Sequence, residues 1–162
     1  MNNQEKTNKL RFVVAANQLL AGRDAAIVAY EQGMAKSLDT TELEAQQQAL
    51  LEEMEMLNGL IQQMIRQNAA VVQDQTEYNR RFDALSQKFK DAEAKKDVIA
   101  EQISDIRLRR GTMEDFLSIL KKQDGELTEF SEKLWCGLLD YATAYADGRL
   151  TFTFKNGSTF EG

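Results

Sequence analysis

The chain is 162 residues long, with a formal net charge of −6, a pI near 4.8, no proline, no histidine and one cysteine. That length holds one domain, or a small domain with an extension, and 43% hydrophobic with 28% charged residues is a composition that folds. Without histidine, Ser-His-Asp and Cys-His nucleophiles and histidine metal sites are excluded, and a lone thiol makes neither an internal disulfide nor a four-cysteine zinc site.

The start, MNNQEKTNK, is polar and lacks the apolar core of a signal peptide, and no run of eighteen apolar residues follows. A cytoplasmic protein without a membrane partner is expected. Leu10, Val13, Val14, Asn17 and Leu20 then recur at helical spacing, and Gly22 stands at the C′ position that would end this helix. Asp24 can open a second helix with Ile27, Tyr30 and Met34 on one face.

Next comes a capping box, Asp39-Thr40-Thr41-Glu42, flanked by Leu38 and Leu43 as a hydrophobic staple. Leu43, Leu50, Leu57, Met64 and Val71 repeat every seven residues, with Gln47, Met54, Ile61 and Asn68 at the alternate seam position. Asp74-Gln75-Thr76-Glu77 repeats the box. From Tyr78 a second seam runs through Phe82, Leu85, Phe89, Ala92, Lys96, Ile99, Ile103, Ile106, Arg110, Met113, Leu117 and Leu120. All but Lys96 and Arg110 are apolar and spaced alternately four and three apart, which is the heptad seam of a coiled coil. No proline interrupts either helix.

The two helices should fold back antiparallel through a connection near Asn68–Gln73. Residues 37–65 carry six carboxylates and no cation, whereas residues 80–110 carry nine cations against six carboxylates. An acidic arm beside a net-basic one would set register and orientation. At about 1.5 Å per residue the arms are about 45 and about 70 Å long, so Ile103–Leu120 must bury its seam elsewhere, against the N-terminal helices. Gly111, inside the longer arm, is either a hinge or a tolerated defect.

Asp124-Gly125 stops the long helix, and Thr128 or Ser131 can cap a short one carrying Phe130, Leu134, Trp135, Leu138 and Leu139. Cys136, in LWCGLL, reads as a small buried hydrophobe. Asp147-Gly148 and Asn156-Gly157 are signals of type I′ hairpin turns around the alternating strand RLTFTFK. A meander of about 141–146, 149–155 and 158–160 is expected, its first strand weakened by Ala142 and Ala144. The predicted fold is mainly α: a long antiparallel coiled-coil hairpin projecting from a small helical base, with a short C-terminal antiparallel β-meander. Residues 1–37 would supply the base helices, 38–123 the hairpin with its tip at about 68–74, and 124–162 the closing helix and strands.

Three segments carry a resemblance: FVVAANQLL at Phe12–Leu20, QTEYNRRFDAL at Gln75–Leu85 and LTEFSEKLWCGLLDYATAYADGRLTFTFKNG at Leu127–Gly157. In this order the chain resembles the C-terminal portion of large serine recombinases, the serine integrases of phages and mobile elements. The resemblance implies a hairpin that projects from a zinc-ribbon domain and whose tip makes contacts between DNA-bound recombinase dimers. The catalytic serine domain and the cysteines of the zinc ribbon have no counterpart here, so strand cleavage and metal binding do not carry over.

No catalytic, cofactor or metal residue is assigned, because carboxylates interleaved with basic neighbours on helix faces suit solubility rather than acid–base chemistry. The expected function is a non-catalytic coiled-coil interaction module that associates with itself or with a cognate serine recombinase. Ile65, Asn68, Val71 and Val72 at the tip are the candidate partner-binding residues, although the same apolar residues could simply close the hairpin. A second reading is residual DNA binding through Arg149 and Lys155 flanking the central strand, in the context of a full recombinase. A third is an unrelated coiled-coil scaffold, for which a terminal β-meander would be superfluous.

Overall fold

A computed structural model describes residues 3–72 and 74–162, so Met1, Asn2 and Gln73 (the last within the expected hairpin connection) lie outside the described residues. The fold is mainly helical, with one small antiparallel sheet at the C-terminal end. It divides into two compact units: residues up to Leu38 together with Leu108–Gly162, and Asp39–Arg107. One 48-residue helix contributes to both.

The first unit begins with α1 (Asn3–Ala21). Its inward face is Phe12, Ala15, Ala16 and Leu19, with Val13 also buried, whereas Leu10 and Val14 point to solvent. The expected stripe is thus rotated around the helix. The two alanines let the backbone approach closely while Phe12 fills the core, an arrangement that aliphatic periodicity alone does not reveal. Asn17 is half-buried and clasps Leu127 from both sides: its Nδ2 donates to the Leu127 carbonyl at 3.0 Å and its Oδ1 accepts from the Leu127 N–H at 2.8 Å. Gly22 ends α1 as expected, but with φ −96° rather than in the left-handed region.

After α2 (Arg23–Ala29) the helix widens into one π turn, Tyr30–Met34, before α3 (Ala35–Ser37). The sequence reading had one uniform helix here. Arg23 donates to the Gln123 carbonyl at 2.6 Å, and Arg110 donates to the carbonyl of Leu38.

In the second unit α4 (Thr41–Ala70) pairs with the first part of α5 (Gln75–Lys122). Every residue of α4 that is not exposed belongs to the predicted seam: Leu43, Gln47, Leu50, Met54, Leu57, Ile61, Met64 and Asn68. On α5 the seam residues from Tyr78 to Ile106 are all at least half-buried, and Ala92 and Ile103 are buried. The helices are antiparallel. Near one end Arg107 Nη2 meets Glu44 Oε1 at 2.9 Å, and near the other Gln75 Nε2 donates to Asn68 Oδ1 at 3.1 Å.

Two local expectations are corrected in this unit. Asp39 does not form a capping box: its Oδ1 accepts from the N–H and hydroxyl of Thr41, and Thr40 is the N-cap residue, its hydroxyl donating to Glu44 at 2.6 Å. Charge segregation also contributes less between the arms than expected, since Arg80 and Arg81 close on Glu77 of their own helix and Lys96 on Asp97. Partners one to four residues away on the same helix win because bringing them together costs little entropy.

The distal part of α5 returns to the first unit, where Met113, Phe116, Leu117 and Leu120 join the α1 residues in one core. The helix passes Gly111 without interruption and stops at Lys122, followed by Gly125 at φ +73°. Ser131, not Thr128, caps α6 (Glu132–Leu138), its Oγ accepting from the Leu134 N–H. Leu134 and Leu138 fall on the buried face of this two-turn helix. Cys136 lies on the opposite side and is exposed, which corrects its reading as a buried hydrophobe.

Strands β1 (Leu139–Ala144), β2 (Leu150–Phe154) and β3 (Thr159–Glu161) pair antiparallel in the order β1-β2-β3. Phe152 and Phe154 are fully buried against Phe12, whose ring also meets Phe130 and Trp135. The aromatic stripe is therefore core. Both connections differ from type I′: only Gly148 and Gly157 have positive φ, while Asp147 and Asn156 do not. Gly148 N–H bonds the Tyr145 carbonyl and Gly157 N–H that of Phe154, giving type I turns with a left-handed glycine after them. The Asp147 and Asn156 side chains instead accept from the N–H two residues on.

Candidate interaction site at the hairpin tip

The tip is built where neither helix can continue. Val71 is extended at φ −137° and ψ 139°, a conformation that suits a β-branched residue, while its N–H still closes the last turn of α4 on the Gln67 carbonyl. Asp74 then opens α5, its Oδ1 accepting from the N–H groups of Thr76 at 2.8 Å and Glu77 at 3.4 Å. This half of the second capping box is formed. Glu77 does not reach back to complete it.

Glu77 turns along the helix to Arg80 and Arg81. Arg80 donates Nε and Nη2 to the two carboxylate oxygens at 2.8 Å each, and Arg81 donates Nε at 2.6 Å. Hydrogen bonds from Arg80 first and Arg81 second hold the Glu77 carboxyl down to about 2 from its ordinary value of 4.5, and the same contact raises Arg80. Two cations share one carboxylate, and the Asp74 carboxylate capping the same turns balances the remaining positive charge. The sequence reading treated these arginines only as part of a basic run; their spacing of three and four from Glu77 was the signal available.

Of the four expected tip residues, three present apolar surface. Val72 is 100% exposed, Val71 65% and Ile65 41%. Asn68 is half-buried and already accepts from Gln75. The structure therefore brings Val71 and Val72 together at the apex, sets Ile65 on the flank of α4 just before it, and gives Asn68 to closing the hairpin. Two adjacent β-branched residues in water cost hydrophobic free energy that a partner surface would recover.

Arg149 and Lys155 lie in the other unit, at opposite ends of the five-residue β2. Arg149 Nε pairs with Asp147 Oδ2 at 2.7 Å and its guanidinium covers the Tyr145 ring, while Lys155 Nζ donates to the Cys136 carbonyl at 2.8 Å. The contact with Arg149 lowers the Asp147 pKa. The two cations do not form one patch. Among the described residues no group of three or more His, Cys, Asp or Glu gathers as a metal would need, and no single helix is long and apolar enough to cross a membrane. Comparison with protein-family models, with curated proteins and with solved structures finds no match for the chain.

Proposed function

We propose that this chain is a non-catalytic interaction module whose coiled-coil hairpin contacts a second hairpin, its own or that of a cognate serine recombinase, through the tip. The observation that carries this reading is the apolar apex, where Val71 is 65% and Val72 100% exposed. The choice of partner rests on the resemblance of the sequence to serine recombinases, and the buried aromatic core over a three-stranded sheet is more than a plain coiled-coil scaffold requires.

The test is sedimentation equilibrium of the wild type and of Val71→Asp/Val72→Asp, each alone and mixed with a large serine recombinase. Tip-mediated contact predicts that the double substitution weakens the mixed complex at least tenfold with unchanged helicity. No complex with the wild type, or equal binding by both proteins, would overturn the reading.

A further inference from the structure

The two broad sides of the hairpin differ. One side carries Glu44, Glu55, Asp83, Lys90, Glu93, Asp97 and Arg107, a solvated mixture of both signs in which Leu51 and Ile65 are the exposed apolar residues of α4. The other holds an apolar groove of about 640 Å³, its walls Ala49 and Leu50 of α4 and Ala94, Val98 and Ile99 of α5. Val98 is 55% exposed. Along the same side of α4, Met56 is 60% and Leu60 43% exposed. These positions follow a second four-and-three spacing, Ala49, Glu53, Met56 and Leu60, displaced around the helix from the seam. A second apolar row on a helix already paired is the pattern of a helix with two neighbours.

Charge on this side is unevenly divided: Glu53 is the carboxylate amid the α4 row, while Lys88, Asp91 and Lys95 stand on the facing row of α5, which is net positive. Among the described residues neither Glu53 nor Lys95 is in an ion pair within the chain. Ala49 and Val98 both line the groove, and the antiparallel register fixed by the Glu44–Arg107 and Asn68–Gln75 contacts puts Glu53 about level with Lys95.

We propose that this side is where a second copy of the chain packs, hairpin on hairpin, to form a four-helix bundle. The charges choose the orientation. A two-fold axis along the hairpin lays α4 of each copy on α5 of the other at unchanged height, so that Ala49 meets Val98 and Glu53 meets Lys95 of the second copy, twice. A two-fold axis across the hairpin would lay α4 on α4 and α5 on α5, like charge on like. The chosen arrangement makes all neighbours antiparallel and leaves both tips at one end. Its size is adequate: residues 46–67 span about 33 Å, and two helices about 10 Å wide give about 650 Å² per copy. Twice that reaches the lower range of specific interfaces.

This dimer does not depend on the tip contact proposed above, and the test separates them. Sedimentation equilibrium of the full chain is measured for the wild type, Glu53→Lys, Lys95→Glu, the Glu53→Lys/Lys95→Glu pair, and Val71→Asp/Val72→Asp, with helicity followed by circular dichroism. Each single reversal should weaken the dimer at least tenfold, the charge-swapped pair should return it to within about threefold of wild type, and the tip variant should dimerise normally. A wild type monomeric at every concentration overturns the proposal. So does a dimer indifferent to both reversals, or one lost only in the tip variant, which would place self-association at the apex.

Discussion

Gly111 offers a direct test of whether α5 is one rigid rod. It lies between Arg110 and Thr112 in unbroken α-helix, its φ is negative, and a Cβ built on it meets nothing within 4 Å. Gly111→Ala therefore adds no clash and removes the extra backbone freedom that glycine has in the unfolded chain. The expected gain is about 1 kcal/mol, which for a chain of this size raises Tm by about 2–4 °C. Thermal and urea unfolding followed by far-ultraviolet circular dichroism measure it. Gly137→Ala serves as the contrast, because there the new methyl runs into Ile119 Cδ1 and the side chain must rotate away, at a cost of about 0.5–1.5 kcal/mol that offsets the same gain. A Gly111→Ala protein no more stable than wild type would refute the reasoning and mark position 111 as a hinge.

The seam should respond unequally to truncation. Leu57→Ala, at a residue 4% exposed, should cost about 2–4 kcal/mol in urea unfolding, whereas Leu51→Ala, at a residue 44% exposed on the other side of α4, should stay within about 0.5 kcal/mol. Because the Glu77 carboxyl is depressed in the folded state, its contribution to stability is complete above about pH 4.5 and is lost as pH falls through about 2. Side-chain carbon NMR should accordingly show Glu77 ionised at pH 3 in the folded protein, and Glu77→Gln should flatten the dependence of the urea midpoint on pH across that window. Exposure of Cys136 predicts that one thiol per folded chain reacts with an aromatic disulfide reagent as completely as after denaturation; a thiol that reacts only on unfolding would contradict the placement of α6.

Both heptad seams were legible in the sequence, because a two-helix hairpin has one buried edge per helix and the apolar residues must follow it. The short closing helix and the meander were legible for a similar reason: Asp-Gly and Asn-Gly can be bridged in few ways. What was not legible depends on competition between partners. Asp39, Thr40 and Thr41 offer several side-chain acceptors to the same N–H groups, and their spacing does not say which pair forms. The face of α1 is chosen by the fit of Phe12 among Phe130, Trp135, Phe152 and Phe154, residues far away in the chain. Cys136 was misplaced because a two-turn helix buries only one side, and composition alone does not say which. At the tip, the exposure of Val71 and Val72 was legible from the turn; the spending of Asn68 on Gln75 was not.

The loop between Ala70 and Gln75 is only four residues long, so α4 and α5 meet first where the chain has least distance to search. Closing so short a segment costs little entropy, and each further turn of pairing is added to one already made, so this half of the molecule should assemble like a zip from its apex. Phe12 and Asn17 have no such head start. Asn17 waits for Leu127, 110 residues onward, and the first helix remains without its pocket until the last strands arrive. Refolding should therefore show helicity recovered early and tryptophan burial late, two clocks in one small protein.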